Sequence, residues 1–576
     1  MLIALLLIPI IAVLGDGGKC ESKSLLMDLL EMVPRHQNST LSKCEEQLME
    51  LRKAWQDQQS WALKALDASG EGFSNFMMGQ STWLGNRFTC RAVHEPVLQD
   101  MTNSNSRLLR DVSPIAFDYV VAYIESNSPW QLQVSIKKNP LLHIGLCLPR
   151  SCDIPEVEQL IRRSLVSGNS FRCWDMDAKL AYAKKPTLRP HFFESGAVQM
   201  LFLVVGGTLL LTVVASRGLG QHSRILGCFD LASNWELAWK PVNPSQENRT
   251  INGLRVFTAF SLIGVHVVWY KYFSVDHSLE MLGKVVSMTM RHTYWPSMVE
   301  IFFVVSGYLT VLNFLKDEQL QQEIASDGLC GNGRRYLGQF IHRYCRLAPL
   351  QFVVILAGVV MMEYQRQVSV LHITDPQDEL CRRYSIRNLL FIQNLYPIRD
   401  MCGSWTWSLG CDMQFDLVMP NRWVRLGAVV LIGWLAKQVT MDRLPATSII
   451  HTFMITLRVL VTALASHLIV CGTKPDTSDS YAPTRWLLAI LQSEQVQRIS
   501  RFTYAIYLLN PIVIIYFYHS FSNEVKPDNT MILLFTIACS AICYAMAIVV
   551  TLLFEIPYNR MTNLLIKSRS FKKKNL

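Results

Sequence analysis

The sequence predicts an all-α polytopic membrane helical bundle of about nine spans behind an N-terminal, disulfide-rich, mainly helical lumenal domain. Three observations carry this. Half of the 576 residues are hydrophobic and only 17% are charged, well under the quarter usual in soluble domains. Apolar stretches long enough to cross a bilayer recur after about residue 195. Six of the fifteen cysteines, Cys20, Cys44, Cys90, Cys147, Cys152 and Cys173, precede the first of those stretches. The net charge of +10 sits partly in residues 567–576, KSRSFKKKNL. A basic patch facing anionic lipid explains it more simply than nucleic acid, so membrane lipids are the expected partners.

In chain order, residues 1–15, MLIALLLIPIIAVLG, read as a signal peptide h-region. The segment beyond it is then expected in the secretory lumen. Residues 20–190 form the cysteine-rich lumenal domain, with helical periodicity in stretches such as 41–66. An even set of cysteines in an oxidising compartment implies disulfides, with 15 possible connectivities for six. No CxxC or HxxxH spacing points to a metal, and no HExxH, Walker loop or GxSxG occurs in the chain. Asn38 opens an Asn-Ser-Thr glycosylation acceptor.

Apolar length then gives spans at 196–216, 251–270, 297–315, 346–363, 404–420, 425–438, 448–471, 502–520 and 530–554. Residues 196–216 are the first transmembrane helix, 248–558 the main membrane domain and 559–576 a basic cytosolic tail. Nine spans starting from the lumen leave the C-terminus cytosolic. Arg217, Arg224, Lys316, Arg334, Arg335, Arg343, Arg346, Arg498 and Arg501 all fall on that same side. Cys381 and Cys402 share one lumenal loop, where they are candidates to pair. The whole reads as a multi-pass membrane protein of the secretory pathway, in the endoplasmic reticulum or the plasma membrane.

The chemistry concentrates in residues 251–270, INGLRVFTAFSLIGVHVVWY. Arg255 and His266 are eleven residues apart, about three turns plus 20°, so they share one helix face roughly 16 Å apart along the axis. A titratable group at membrane depth is costly and by default marks a site facing the bundle interior. For Arg255 the alternative is snorkelling to the headgroups. For His266 it is a hydrogen bond to a neighbouring helix. Arg255 lies near a helix N-terminus on the expected cytosolic side, a combination that favours phosphate. Glu300 opens the next span and is a candidate to orient His266 and stabilise its imidazolium, unless it sits in interfacial water. Arg343 and Arg346 are three apart on one helix end, suited either to phosphates or to anchoring. Asp412 and Gln414 fall inside a candidate span, where a carboxylate is hard to account for by packing alone.

Arginine, ten residues and histidine on a helix opening with NGLR resembles the acyltransferase-3 superfamily. EIFFVVSGYLT (300–310), FIHRYCRLAPL (340–350), WTWSLGCDMQFDL (405–417) and SRFTYAIYLLNPIVI (500–514) extend the likeness. WALKALDASGEGFSNFMMGQSTWLG (61–85) and HIGLCLPRSC (143–152) point to its animal branch, the nose-resistant-to-fluoxetine-like proteins. The resemblance runs from about Cys44 to Lys567. It implies an acyl-CoA donor, no metal, a small-molecule or lipid acceptor, His266 as general base and Arg343 with Arg346 as the family's basic pair. Three departures stand beside it. Trp405 occupies the place of a family histidine, Asn510 stands where relatives often have another, and the interval between Leu417 and His451 is short of spans. The expected function is therefore a membrane-bound acyltransferase moving an acyl group to a hydroxyl or amine. The alternative is a catalytically inactive lipid or small-molecule carrier of the same family.

Overall fold

A computed structural model of the chain describes residues 24–33, 41–95, 111–132, 141–187, 193–218, 223–241, 248–272, 298–372, 377–397, 400–418, 448–472, 482–520 and 529–574. Two compact units divide near Leu188 and Arg189.

The N-terminal unit contains, in order, α1 (Leu25–Met32), α2 (Lys43–Gln56), α3 (Ser60–Asp67), β1 (Thr82–Trp83), α4 (Arg87–Ala92), β2 (Phe117–Asn127), β3 (Leu141–Pro149), α5 (Ile154–Ser167), α6 (Asn169–Cys173) and β4 (Asp177–Lys184). Helices outweigh strands in this unit, as expected, but beside them stands a four-stranded sheet that the mainly helical reading did not include, in the order β1-β3-β2-β4. Strand β2 pairs antiparallel with β3, Tyr119 opposite Cys147, and antiparallel with β4. The physical reason is burial on both faces. Val120 to Ile124 are all 0% exposed, so β2 shows no alternation, and a short continuous apolar run does not distinguish strand from helix.

Helix α2 begins with a capping box, Ser42 accepting from Glu45 N–H while the Glu45 carboxylate accepts from Ser42 N–H. Cys44 on α2 is bonded to Cys152, and Cys90 on α4 to Cys147 on β3. Cys173 is disulfide-bonded as well. Residues 1–15, Cys20 and Asn38 lie outside the described residues.

The membrane unit contains α7 (Gly196–Ser216), α8 (Leu231–Trp239), α9 (Arg249–Tyr272), α10 (Val299–Lys316), α11 (Glu318–Ser326), α12 (Leu329–Val368), α13 (Gln377–Leu389), α14 (Trp407–Val418), α15 (Ser448–Gly472), α16 (Ala482–Leu491), α17 (Glu494–Ile499), α18 (Thr503–Ser520), α19 (Asn529–Val550) and α20 (Ile556–Lys574). Among the described residues five helical stretches are long and apolar enough to cross a membrane: Gly196–Ser216, Arg249–Lys271, Gly331–Val368, Glu494–Ser520 and Thr530–Leu565. Two shorter apolar helices, Val299–Leu312 and Arg458–Gly472, accompany them. Nine spans are thus not reached among these residues. Helix α14 is described over 12 residues, up to the end of the described segment at Val418, and the expected span at 425–438 lies outside the described residues. So does most of the short interval after Leu417. The stretch read as a tail continues the bundle as a helix to Lys574.

Helix α7 is apolar all round and mostly uncovered by protein, with Leu203 and Leu210 at 75% and 64% exposure. Such a surface is stable against lipid and a liability in water. Helix α18 is its opposite, buried along most of its length. The bundle core joins Ile251 and Leu254 of α9, Ile301 and Val305 of α10, Leu468 and Ile469 of α15, and Leu488 and Leu491 of α16. Gly253 is required there: a Cβ would lie 2.3 Å from the Leu491 carbonyl oxygen. The Cys381–Cys402 disulfide ties α13 to the segment before α14.

Candidate functional site

Helix α9 packs against α18, α10 and α19, and its two singled-out residues meet different surroundings. Arg255 lines a cavity of about 590 Å3. Its walls come from α9, α10, α12, α14, α18 and the π-helical turn Thr551–Glu555 between α19 and α20. The same cavity receives Arg343 and Arg346 from α12 and Asp412 from α14. Four of the polar residues picked from the sequence therefore converge, although they are spread over 157 positions (255 to 412) of chain.

Within the cavity Arg343 is held in place. Its Nη2 donates to Asp412 Oδ2 at 2.5 Å and to Ser306 Oγ at 3.2 Å. Both partners of the ion pair are 23% exposed, partly desolvated, so the pair is stronger than a surface one. Asp412 thus has an explanation that apolar packing did not supply: it is the counter-ion of Arg343. Tyr507 donates to the Trp405 carbonyl at 2.6 Å and lies 2.6 Å from Ser408 Oγ. Tyr504 donates to the Leu347 carbonyl at 2.9 Å. Arg501 and Glu555 complete the polar lining, and Thr551 donates to Glu555 Oε2 at 3.2 Å.

His266 stands three turns along α9 from Arg255, half-buried. Its Nδ1 lies 2.5 Å from Asn510 Oδ1 of α18. The orientation of that amide follows from the next residue. Pro511 has no N–H to give the Tyr507 carbonyl, and Asn510 Nδ2 donates to it instead, at 2.8 Å, as well as to the Ile506 carbonyl at 3.1 Å. With both donors so used, the atom facing the imidazole is the oxygen, so Nδ1 carries a proton and, in the neutral ring, the lone pair is on Nε2. An amide oxygen holding a histidine tautomer is the arrangement of Cys-His-Asn catalytic sites.

Glu300 does not hold His266. Its Oε1 lies 3.5 Å from Arg458 Nε of α15, and the side chain placed against the His266 imidazole is that of Asn510. Gln414 stands outside the cavity lining: its amide exchanges two hydrogen bonds of 2.8 Å with Asn394 and donates to the Phe391 carbonyl at 3.0 Å. Trp405 is buried and presents its carbonyl, not its ring, to Tyr507.

Sequence reasoning overlooked Glu555 and undervalued Asn510. Both left a signal. Glu555 is a carboxylate at the end of an apolar run, and Asn510 precedes a proline inside a spanning helix.

Comparison with known proteins finds two family matches along the chain. The family described as nose resistant-to-fluoxetine protein, N-terminal domain, matches residues 44–161. The family described as acyltransferase domain matches residues 248–436. Nose resistant to fluoxetine protein 6 of Caenorhabditis elegans is 22% identical over 446 residues, covering 70% of this chain and 53% of the relative. The chain therefore spans about half the length of that curated relative. No solved structure matches the chain.

Proposed function

Because the chain belongs to the nose-resistant-to-fluoxetine-like proteins of the acyltransferase-3 superfamily, we propose that it is a membrane-bound acyltransferase moving an acyl group from acyl-CoA to a hydroxyl or amine. One observation carries the reading. Arg255, Arg343 and Arg346 line one cavity, and His266, on the same helix as Arg255 but outside that lining, is held at Nδ1 by Asn510.

In this mechanism the arginines bind the donor's phosphates, Arg343 already positioned by Asp412. His266 Nε2 takes the proton from the acceptor as its oxygen or nitrogen attacks the thioester carbonyl. The new C–O or C–N bond forms, the C–S bond breaks, and the departing thiolate recovers the proton from the imidazolium. General base catalysis of this kind contributes about 10²–10⁴-fold. The reading places the protein in the secretory pathway, N-terminal unit lumenal and C-terminus cytosolic.

The carrier reading draws on Trp405 and Asn510, neither of which shuttles a proton. Labelled acyl-CoA offered to the purified protein in lipid nanodiscs separates the two. Transfer of the label with release of CoA supports the enzyme. Saturable lipid binding without transfer from any donor chain supports the carrier.

A further inference from the structure

A second cavity of about 370 Å3 lies in the membrane unit, between the N-terminal end of α7, the middle and C-terminal part of α12, and α13. It shares no lining residue with the arginine-lined cavity. Its wall on α12 is one face of that helix, with Phe352, Ile355 and Val359 between Gln351 at one end and Glu363 at the other. Apolar side chains dominate the lining, as in small-molecule sites generally.

The polar groups are unusual. Gln351, Glu363, Asp378 and Asn388 are 2%, 7%, 1% and 2% exposed. In each a buried side-chain oxygen has no hydrogen-bond partner among the described residues: Gln351 Oε1, Glu363 Oε2, Asn388 Oδ1 and both oxygens of Asp378. Every one of these atoms is an acceptor. Arg366 Nη1 lies 3.0 Å from Asp378 Oδ2, without hydrogen-bond alignment, and Arg382 Nη2 lies 3.8 Å from Glu363 Oε1. The two guanidinium side chains are 50% and 72% exposed while the carboxylates are 1% and 9% exposed, so water screens the cations far more than the anions. Leaving buried carboxylate oxygens without donors costs free energy that a bound donor would recover.

We propose that this cavity binds an amphipathic primary amine, its ammonium group donating to Glu363 and Asp378 and its apolar chain lying along Phe352, Ile355 and Val359. An ammonium supplies three donors and a positive charge. An alcohol supplies one donor and no charge, a quaternary ammonium no donor, and a carboxylate only further acceptors. The site does not depend on the acyl-transfer reading.

The test uses the full chain in nanodiscs with tritiated dodecylamine, competed by dodecanol, dodecyltrimethylammonium and dodecanoate. Saturable amine binding is expected, with each competitor at least tenfold weaker than unlabelled dodecylamine. Glu363→Gln and Asp378→Asn are each expected to weaken the amine tenfold or more without shifting the folded elution profile. Val359→Trp, which fills the apolar wall and keeps both carboxylates, is expected to abolish binding and reads the same claim where a carboxylate variant does not fold. Equal binding of amine, alcohol and quaternary ammonium, preference for dodecanoate, or unchanged binding in Val359→Trp would each overturn the proposal.

Discussion

The two units bury polar chemistry in opposite ways. In the N-terminal unit the buried interior is a sheet and an aromatic cluster, Phe73 stacking edge-on against Phe76, Trp83 and Phe171, and cross-links fasten helices to it. In the membrane unit the helices converge on charged side chains, Arg343 with Asp412 and Glu300 with Arg458. A disulfide-linked domain gains order from covalent and apolar contacts, whereas a bundle in lipid has no hydrophobic drive between helices. Charged groups in the second unit pair helix with helix. In the first they bind chain segments at its surface, as Arg150 and Lys185 do with Asp118, and uncharged polar groups cap helices, as Ser42 and Asn86 do.

That contrast breaks most visibly on reduction. Cys44–Cys152 closes a loop of 108 residues and Cys90–Cys147 one of 57. Replacing either pair by serine is expected to cost about 2–5 kcal/mol. Hydrogen exchange should then rise across β2 and β3 while α9 and α18 stay protected. Equal loosening of both units would refute the division.

Next in size is the ion pair of the arginine-lined cavity. Asp412→Ala leaves Arg343 partly buried without its counter-ion, an expected loss of about 1–3 kcal/mol, below the full cost of breaking a wholly buried pair because both groups retain some water. The double variant Asp412→Ala with Arg343→Met should regain most of it. Thermal unfolding in nanodiscs reads both, and an additive double variant would mean that the two residues do not act together.

A smaller effect is expected from the Asn-Pro step. Asn510→Leu removes the oxygen that fixes the His266 tautomer, so turnover should fall about tenfold at unchanged KM for the donor. Pro511→Ala restores an N–H for the Tyr507 carbonyl and releases the amide to turn, so it should lower turnover by less. A Pro511→Ala variant more impaired than Asn510→Leu would point to helix geometry and away from the tautomer.

The smallest belongs to the N-terminal unit. His94 Nδ1 accepts from Phe117 N–H at 3.3 Å, and burial, with Arg150 beside it, lowers its pKa from the usual 6.5. The neutral form is favoured when folded, so the unfolded chain takes up the proton first. This stability is fully present above pH about 6.5 and declines as pH falls through the lowered folded value. His94→Gln should flatten that part of the stability profile. An unchanged slope would assign the dependence to other groups.

Much of this was legible from residue pattern. The spacing of Arg255 and His266 set both on one face of a single helix, which the structure describes as α9, and the membrane depth of Asp412 marked it as needing more than packing. What was not legible depended on partners far along the chain. Glu300 and His266 were joined because each is a strong catalytic type, but a sequence does not say that Arg458 lies 3.5 Å from the carboxylate. The sheet escaped because β2 is buried on both faces and loses its alternation. Asn510 counted only as a lost histidine, because its value lies in a carbonyl that Pro511 leaves unbonded four residues back.

The central claim is that His266 does proton chemistry while Arg255 holds the donor, and steady-state kinetics on two variants tests it most directly. Arg255→Ala is expected to raise the KM for acyl-CoA more than it lowers kcat. His266→Gln keeps a hydrogen bond but carries no proton, and its kcat is expected to fall about 100-fold or more with KM little changed. Near-normal turnover by His266→Gln would contradict the account.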